Sequence, residues 1–296
     1  MTPHDRVVED AVRGKRTVML VGGLDVGKTT LARRLLAAAL AAGKRAALLD
    51  ADLGQKTVGP PTAVTLRMVR EEADLAPEAL AREDAMAFVG GTSPQGHLLP
   101  LVTGATRLHR LALAQGADLV VVDTSGMVSG VFGQIVKYHK VEMLEPDLVI
   151  GLQRGEELLP LLGVIQRFFS TEVVPLGEVP GVVPTSVEER ADNREAAMRR
   201  YFAGEIHRFR VKPTVFLPAL PPLFDLAELN RLVVGLSDGA GSTTGLGYLE
   251  HTPGEEDLRL VTPVAAGPKA LRLGAVRLDA SYGARRVDLR NLFGSE

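Results

Sequence analysis

Eight residues near the start of the chain, Gly22-Gly23-Leu24-Asp25-Val26-Gly27-Lys28-Thr29, fit the spacing G-x-x-x-x-G-K-[ST]. Each residue type in that pattern has a physical task. Glycines let successive backbone N–H groups curl around phosphate oxygens, and the start of the following helix adds its dipole. A lysine placed like Lys28 reaches β- and γ-phosphates, and a hydroxyl placed like that of Thr29 can ligate Mg²⁺. The flanks agree with this reading. Thr17–Val21 is a short apolar run suited to a buried strand, and Thr29–Ala42 is rich in the helix formers Ala and Leu. Gly22 through Thr30 are expected to hold the phosphates of a nucleoside triphosphate.

Acids follow at two further strand ends. Asp50-Ala51-Asp52 closes the apolar stretch Ala46–Leu49, and residues two apart on an extended chain face the same way. Asp50 and Asp52 could therefore point together into the crevice at the carboxyl edge of a sheet. One could order a magnesium shell while the other takes a proton from an attacking hydroxyl. The plainer alternative is a pair of solvated turn or capping residues. Leu119–Val122 ends in Asp123, the second carboxylate expected of a phosphate-loop protein, on Mg²⁺ directly or through water.

Cations come from Ser186–Phe202, a helix signalled by the capping box of Ser186 and Glu189. Arg190 and Arg194 share a face, whereas Arg199, nine residues beyond Arg190, falls toward the other side of an ideal helix. Two uses fit: a solvated helix with Glu–Arg pairs, or a lid whose guanidiniums neutralise a phosphoryl group in transfer. All three converge only if the helix bends or lies across the site.

The elements that must position these groups alternate. Strand-like runs at Thr17–Val21, Ala46–Leu49, Ala87–Val89, Leu119–Val122, Leu148–Leu152 and Val173–Leu176 are separated by helical stretches. Leu98–Gln115, Val131–Leu144 and Leu158–Phe169 are the clearest of those helices. The pattern predicts an α/β fold, a phosphate-loop kinase-type parallel sheet with helices on both faces. The pattern changes near residue 205. Residues 1–206, with the arginine helix at 186–202, are expected to form the kinase-type domain, and 207–296 a small, mostly β C-terminal domain. Leu258–Val261, Leu271–Leu273 and Ala275–Leu278 are its expected strands, with Ser237–Tyr248 a flexible Gly/Ser turn between strands.

Composition excludes several classes. With no cysteine in 296 residues there is no disulfide framework, thiolate metal site or cysteine nucleophile. His97 and His139 have no metal spacing. No apolar run approaches the ~20 residues that span a bilayer, and the charged start lacks a secretory signal. No membrane partner and a cytoplasmic location are therefore expected. A net charge of −2 rules out a protein that envelops nucleic acid by overall charge, so any such contact needs a local basic patch.

With these pieces in place the chain resembles the polynucleotide 5′-hydroxyl kinase family that includes the RNA kinase subunit of pre-mRNA cleavage and tRNA-splicing machinery. It is most similar to the shorter archaeal and bacterial-type members. The motifs, in order, are GGLDVGKTT, LDADLGQ, GGTSPQGH (Gly90–His97), DTSGMVSG (Asp123–Gly130), LQRGEEL (Leu152–Leu158) and the arginine helix ending in Tyr201-Phe202. The resemblance implies ATP or another nucleoside triphosphate as donor, Mg²⁺, and the 5′-hydroxyl end of RNA, DNA or both as acceptor. It implies nucleotide and metal roles for Lys28 and Thr29, and Asp52 as general base with Asp50 and Gln55 beside it. Arg190, Arg194 and Arg199 take the places of lid arginines. Thr92, Ser93 and Pro94 lie on a loop bordering the site, as does His97. Gln153 and Arg154 stand where the nucleotide base is approached. Met127 replaces a tryptophan with which longer members stack on the terminal base.

About 16 residues precede the first strand, so no counterpart of the separate N-terminal domain of eukaryotic members is expected. The sequence identifies no protein partner. The competing class is an ATP-binding scaffold without transfer activity. A GTPase would need a guanine-reading Asn/Thr-Lys-x-Asp segment after Leu148–Leu152, where LQRGEEL stands instead.

Overall fold

The structure, a computed structural model, describes residues 1–222, 224–252 and 258–293. In chain order the first part comprises α1 (Pro3–Gly14), β1 (Thr17–Gly22), α2 (Lys28–Ala41), β2 (Ala46–Ala51), β3 (Ala63–Val69), α3 (Pro77–Leu80) and β4 (Ala85–Phe88). It continues with α4 (Leu98–Ala114), β5 (Leu119–Thr124), α5 (Gly130–Leu144), β6 (Leu148–Gln153), α6 (Leu159–Phe168), β7 (Glu172–Gly177) and α7 (Val187–Tyr201). The second part holds β8 (His207–Val211), β9 (Phe216–Leu217), β10 (Leu232–Ser237), β11 (Thr243–His251), β12 (Leu258–Thr262), β13 (Ala270–Leu278), β14 (Ala284–Arg286) and α8 (Leu289–Phe293).

Strands β2, β5, β1, β6 and β7 lie side by side and parallel. Every residue of β1, β2 and β5 is buried, which is why these strands read as unbroken apolar runs rather than alternating ones. Their side chains divide between two cores. Val18, Leu20 and Leu48 meet α1 and α2 on one face. Met19, Val21 and Leu49 meet α4, α5 and α6 on the other. The crossover through α2 covers one face and that through α5 the other, so the carboxyl ends of β1 and β5 bound a crevice at the switch point.

The sheet is not parallel throughout. β3, absent from the expected strands, returns antiparallel to β2, and β4 is antiparallel to β3. A parallel return needs a crossover of about a dozen residues or more, usually a helix. The chain between Ala51 and Ala63 holds turns instead, so it doubles back.

The C-terminal β region grows from the same sheet, Thr243 of β11 pairing with Met86 of β4. Phe88 seals the junction: a side chain at Gly235 would overlap its ring, and one at Gly274 would come within 2.9 Å of it. Met198 and Phe202, at the foot of α7, join the same core with Val233, Leu246 and Tyr248. The expected turn over Ser237–Tyr248 shrinks to Asp238–Ser242. The glycine-rich remainder is strand, because β10 pairs along it and β12 takes over from Tyr248 onward. The two pieces expected at 271–273 and 275–278 are one strand, β13. Among the described residues no helix is long and apolar enough to cross a membrane.

Candidate active site

The phosphate loop leaves β1 at Gly22 and enters α2 at Lys28. Gly27 has φ 91°, and a Cβ there would lie 2.5 Å from Cβ of Val179, so conformation and space both demand glycine. No side chain caps α2, which leaves its first-turn N–H groups to the loop. Lys28 is buried and folds back to donate to the carbonyl of Gly23. Burial lowers its pKa, against the pull of Asp123, Asp52 and Asp25.

Thr29 donates its hydroxyl to Oδ2 of Asp123 at 2.7 Å. Burial pushes the Asp123 carboxyl up to about 6, helped by neighbouring Asp50 and opposed by Lys28 and the Thr29 hydroxyl. The pair gathers two hard oxygen donors beneath the loop mouth. Mg²⁺ binds through one or two such groups and completes its shell with phosphate oxygens and water, so this donor set fits it. Among the described residues no three acidic, histidine or cysteine groups cluster to hold a metal by themselves. A metal there would depend on the phosphates.

Asp50 and Asp52 do not point together, because β2 ends at Ala51 and the chain turns. Oδ2 of Asp50 accepts from the amides of Thr57 and Val58 at 2.8 and 3.0 Å. Its Oδ1 accepts from the Asp52 amide at 3.1 Å and meets Nζ of Lys56 at 3.0 Å. With side chains 2% and 0% exposed, Asp50 and Lys56 form a buried pair that shapes the 52–58 loop. The magnesium-ordering role expected of Asp50 thus falls on a carboxylate whose two oxygens are both engaged. Asp52 faces the cleft. Its Oδ1 accepts from the amides of Gly54 and Gln55 at 2.9 and 3.0 Å, a turn that fixes the carboxylate's direction through one oxygen.

A cleft of about 220 Å³ joins these groups. Leu24, Asp25, Gly27 to Thr30, Asp52, Gln55, Asp123 and Arg190 all line it. Helix α7 carries the expected capping box, Ser186 Oγ accepting from the Glu189 amide at 3.1 Å and the Glu189 carboxylate from the Ser186 amide at 2.7 Å. Arg190 pairs with the carboxylate of Asp25 in the phosphate loop, and Nε2 of Gln55 donates to the Arg190 carbonyl at 3.0 Å. The aliphatic stem of Arg194 passes over Gly54, beside the Asp52 turn. Arg199 does not join them. It pairs with Glu195, donates to the Ser281 carbonyl at 3.2 Å and stays 56% exposed. Two and a half turns of unbent helix put it on the far side.

The loop after β4 touches this region, the Thr92 carbonyl lying 3.0 Å from where a Gly54 Cβ would stand. Ser93 Oγ accepts from the Gln95 amide at 3.3 Å, and the His97 ring covers Gly91 while Nδ1 meets the Gln95 carbonyl at 3.1 Å. Leu24 packs on Gly126, and Met127 follows it half-buried, outside the lining of the cleft. Gln153 has a buried Oε1 that meets no donor among the described residues. Arg154 is engaged at 2.6 Å with both Glu178 and the Asp25 carbonyl, bracing the phosphate loop from outside.

Sequence reasoning missed two features. Residues 178–186 cross the loop as a strap: the Val179 amide donates to Val26 at 3.0 Å, and Val182, Val183 and Thr185 line the cleft. Lys137 and Lys140 are wholly buried on α5. Nζ of Lys137 holds the Thr124 hydroxyl at 2.9 Å and the Ser125 carbonyl at 2.5 Å, and Lys140 reaches the Ala51 carbonyl at 3.2 Å. Burial lowers both lysines, Lys140 to about 8. The signal was available: residues 133, 136, 137, 140, 141 and 144 form one buried helical stripe, and two of them are lysines.

Comparison with known proteins agrees with this architecture. Residues 22–204 match the family model described as mRNA cleavage and polyadenylation factor CLP1 P-loop. The polyribonucleotide 5′-hydroxyl-kinase of Pyrococcus abyssi is 26% identical, over 93% of this chain and 92% of that protein. That of Pyrococcus horikoshii is 32% identical, over 68% of this chain and 54% of the relative. Among solved structures, a Clp1p–Pcf11p complex superposes with a TM-score of 0.74 at 15% identity, covering 93% of this chain and 77% of that one. That last likeness speaks for the fold.

Proposed function

Since this chain belongs to the CLP1 P-loop family, we propose that it is a polynucleotide 5′-hydroxyl kinase, moving the γ-phosphoryl group of ATP to the 5′-hydroxyl end of RNA. The observation that carries this reading is one cleft lined by Lys28, Arg190 and an Asp52 carboxylate aimed by two backbone amides.

The triphosphate displaces two contacts already in place. Lys28 leaves the Gly23 carbonyl for β- and γ-phosphate oxygens, and Arg190 exchanges Asp25 for the phosphoryl group. Thr29 and Asp123 are the residues that would hold Mg²⁺, which when bound offsets charge on the phosphate oxygens. Asp52 accepts the proton of the 5′-hydroxyl as the new oxygen–phosphorus bond forms. The bond from the γ-phosphorus to the β–γ bridging oxygen breaks, and ADP leaves with that electron pair. Because phosphoryl transfer depends on position and charge more than covalent chemistry, Lys28 and Arg190 carry most of the rate. Arg194, at the Asp52 turn, supports the acceptor side. Thr92, Ser93, His97 and Met127 border the strand's approach. The spare acceptor of Gln153 serves the nucleotide base, with Arg154 holding the loop beneath it. A cytoplasmic place of work, where ATP and nucleic-acid ends meet, goes with this reading.

The test is transfer of label from γ-labelled ATP to matched RNA and DNA ends, with 5′-phosphorylated strands as control. Label is expected on 5′-hydroxyl RNA and lost in Lys28→Ala. Tight ATP binding without transfer to any end would instead leave an ATP-binding scaffold.

A further inference from the structure

We propose that the groove between α4 and the start of β11 binds the sugar–phosphate backbone of the polynucleotide a few nucleotides inside its reacting end. The proposal rests on the kinase reading and extends it to the body of the strand.

The groove is a cavity of about 480 Å³, walled by α4, floored by β4 and closed by residues 241–243 and Arg272 of β13. Three arginines line it, Arg107 and Arg110 on one face of α4 and Arg272 opposite. Its lining includes no acidic residue. Among the described residues no ion pair joins any of the three arginines to a carboxylate. Two of them rest on neutral groups: Arg107 donates to the Ala240 carbonyl at 3.4 Å, and Arg272 to the Phe88 carbonyl at 3.3 Å. Carbonyls orient a guanidinium without cancelling its charge. Asp238 feels Arg107, but its Oδ1 is taken by the amides of Ala240 and Ser242 at 2.7 and 2.9 Å. Partial burial disfavours the charge on Arg272, so an arriving anion would relieve it. Glycines let the walls approach closely. A Cβ at Gly104 would lie 2.9 Å from Ala87, and one at Gly241 3.1 Å from the Arg107 guanidinium.

Position decides the ligand. Phe88 ends the groove floor, and four residues later the Thr92 carbonyl touches the Asp52 turn. That connection spans at most about 14 Å of chain, so the Phe88 end of the groove lies near the acceptor side of the cleft, with Arg107 and Arg110 about 14–18 Å from the start of α4. The molecule carries net charge −2, so this is a local basic site rather than part of a general field. Planar forks spaced along a groove suit successive phosphodiesters, each able to take two parallel hydrogen bonds.

The experiment compares wild type, Arg107→Ala/Arg110→Ala and Arg107→Lys/Arg110→Lys on a 5′-hydroxyl dinucleotide and on RNA of about twelve nucleotides. For wild type, KM should be lower for the longer RNA. In the alanine variant that gain should disappear, with KM for the longer RNA raised about tenfold while dinucleotide KM and kcat stay put. The slope of log KM against log salt should shrink by about 0.7 for each phosphate no longer neutralised. The lysine variant should recover most of the salt dependence. Unchanged length dependence and salt slope in the alanine variant would overturn the proposal. Fluorescence anisotropy with the same RNA reads the groove independently of catalysis. Wild type binding at least tenfold tighter than the alanine variant upholds it even if no label is transferred. Equal binding, or loss only of acidic-peptide binding, contradicts it.

Discussion

Lys28 and Arg190 each rest on an oxygen that a phosphate would replace, and Asp123, its pKa raised to about 6, takes up in acid a proton that a metal would displace. These three exchanges give the site its expected pH response. The Asp123 carboxyl is raised to about 6 by burial, so this group favours the fold while protonated, below its ordinary value of 3.8. That contribution is lost as pH rises through about 6. If Mg²⁺ binds with ATP at Asp123, as proposed, it requires the ionised form and runs the other way. Its affinity should fall about tenfold for each pH unit below about 6, measured by titration calorimetry between acidic and neutral pH. A flat profile across that range would contradict the metal role of Asp123. Asp50 has a different job. Removing Lys56 leaves its buried carboxylate unpaired, so Lys56→Met should cost about 3–5 kcal/mol in chemical denaturation. A loss below about 1 kcal/mol, the value of a surface pair, would show the pair to be dispensable.

Helix α7 turns one face to chemistry and plants its foot in another core. Arg190 reaches the cleft, while Met198 and Phe202 are buried against β10 and β11. The Tyr201 hydroxyl accepts from the Leu246 amide at 2.7 Å, and burial raises its pKa. Arg190→Ala should lower kcat by about 10²-fold or more, as loss of a positioned charge does, with Arg199→Ala changing it less than about threefold. Equal losses would mean that the helix bends on closure. Much of this was legible in the sequence: the capping box fixed the helix start, and nine-residue spacing set Arg199 apart. The two buried lysines of α5 were not read, since a lysine on a helix ordinarily signals a solvated face. The loop at 52–58 also escaped, because Asp50 draws amides seven and eight residues away, a choice made by burial rather than by spacing.

At the scale of the molecule, the parallel strands and phosphate loop were readable because a doubly covered strand is apolar throughout. β3 and β11 were not, since their strand character comes from partners distant in sequence rather than from local pattern. The division expected near residue 206 falls across continuous packing. Thr243 extends the kinase sheet, and Phe88, Met198 and Phe202 find cover in the C-terminal strands. Residues 1–206 alone should therefore expose that apolar seam and aggregate or lose cooperative unfolding, as circular dichroism and size-exclusion chromatography would show. A monomer of that fragment melting in one sharp transition would make the C-terminal region an independent appendage.

In the proposed reaction the carboxylate aimed by Gly54 and Gln55 takes the proton of a strand's 5′-hydroxyl in the cleft that holds the triphosphate. Single-turnover label transfer by Asp52→Asn, run beside ATP binding by the same protein, tests it most directly. Transfer should slow by about 10²–10⁴-fold while ATP affinity stays within a few-fold of wild type. Transfer at the wild-type rate would contradict it.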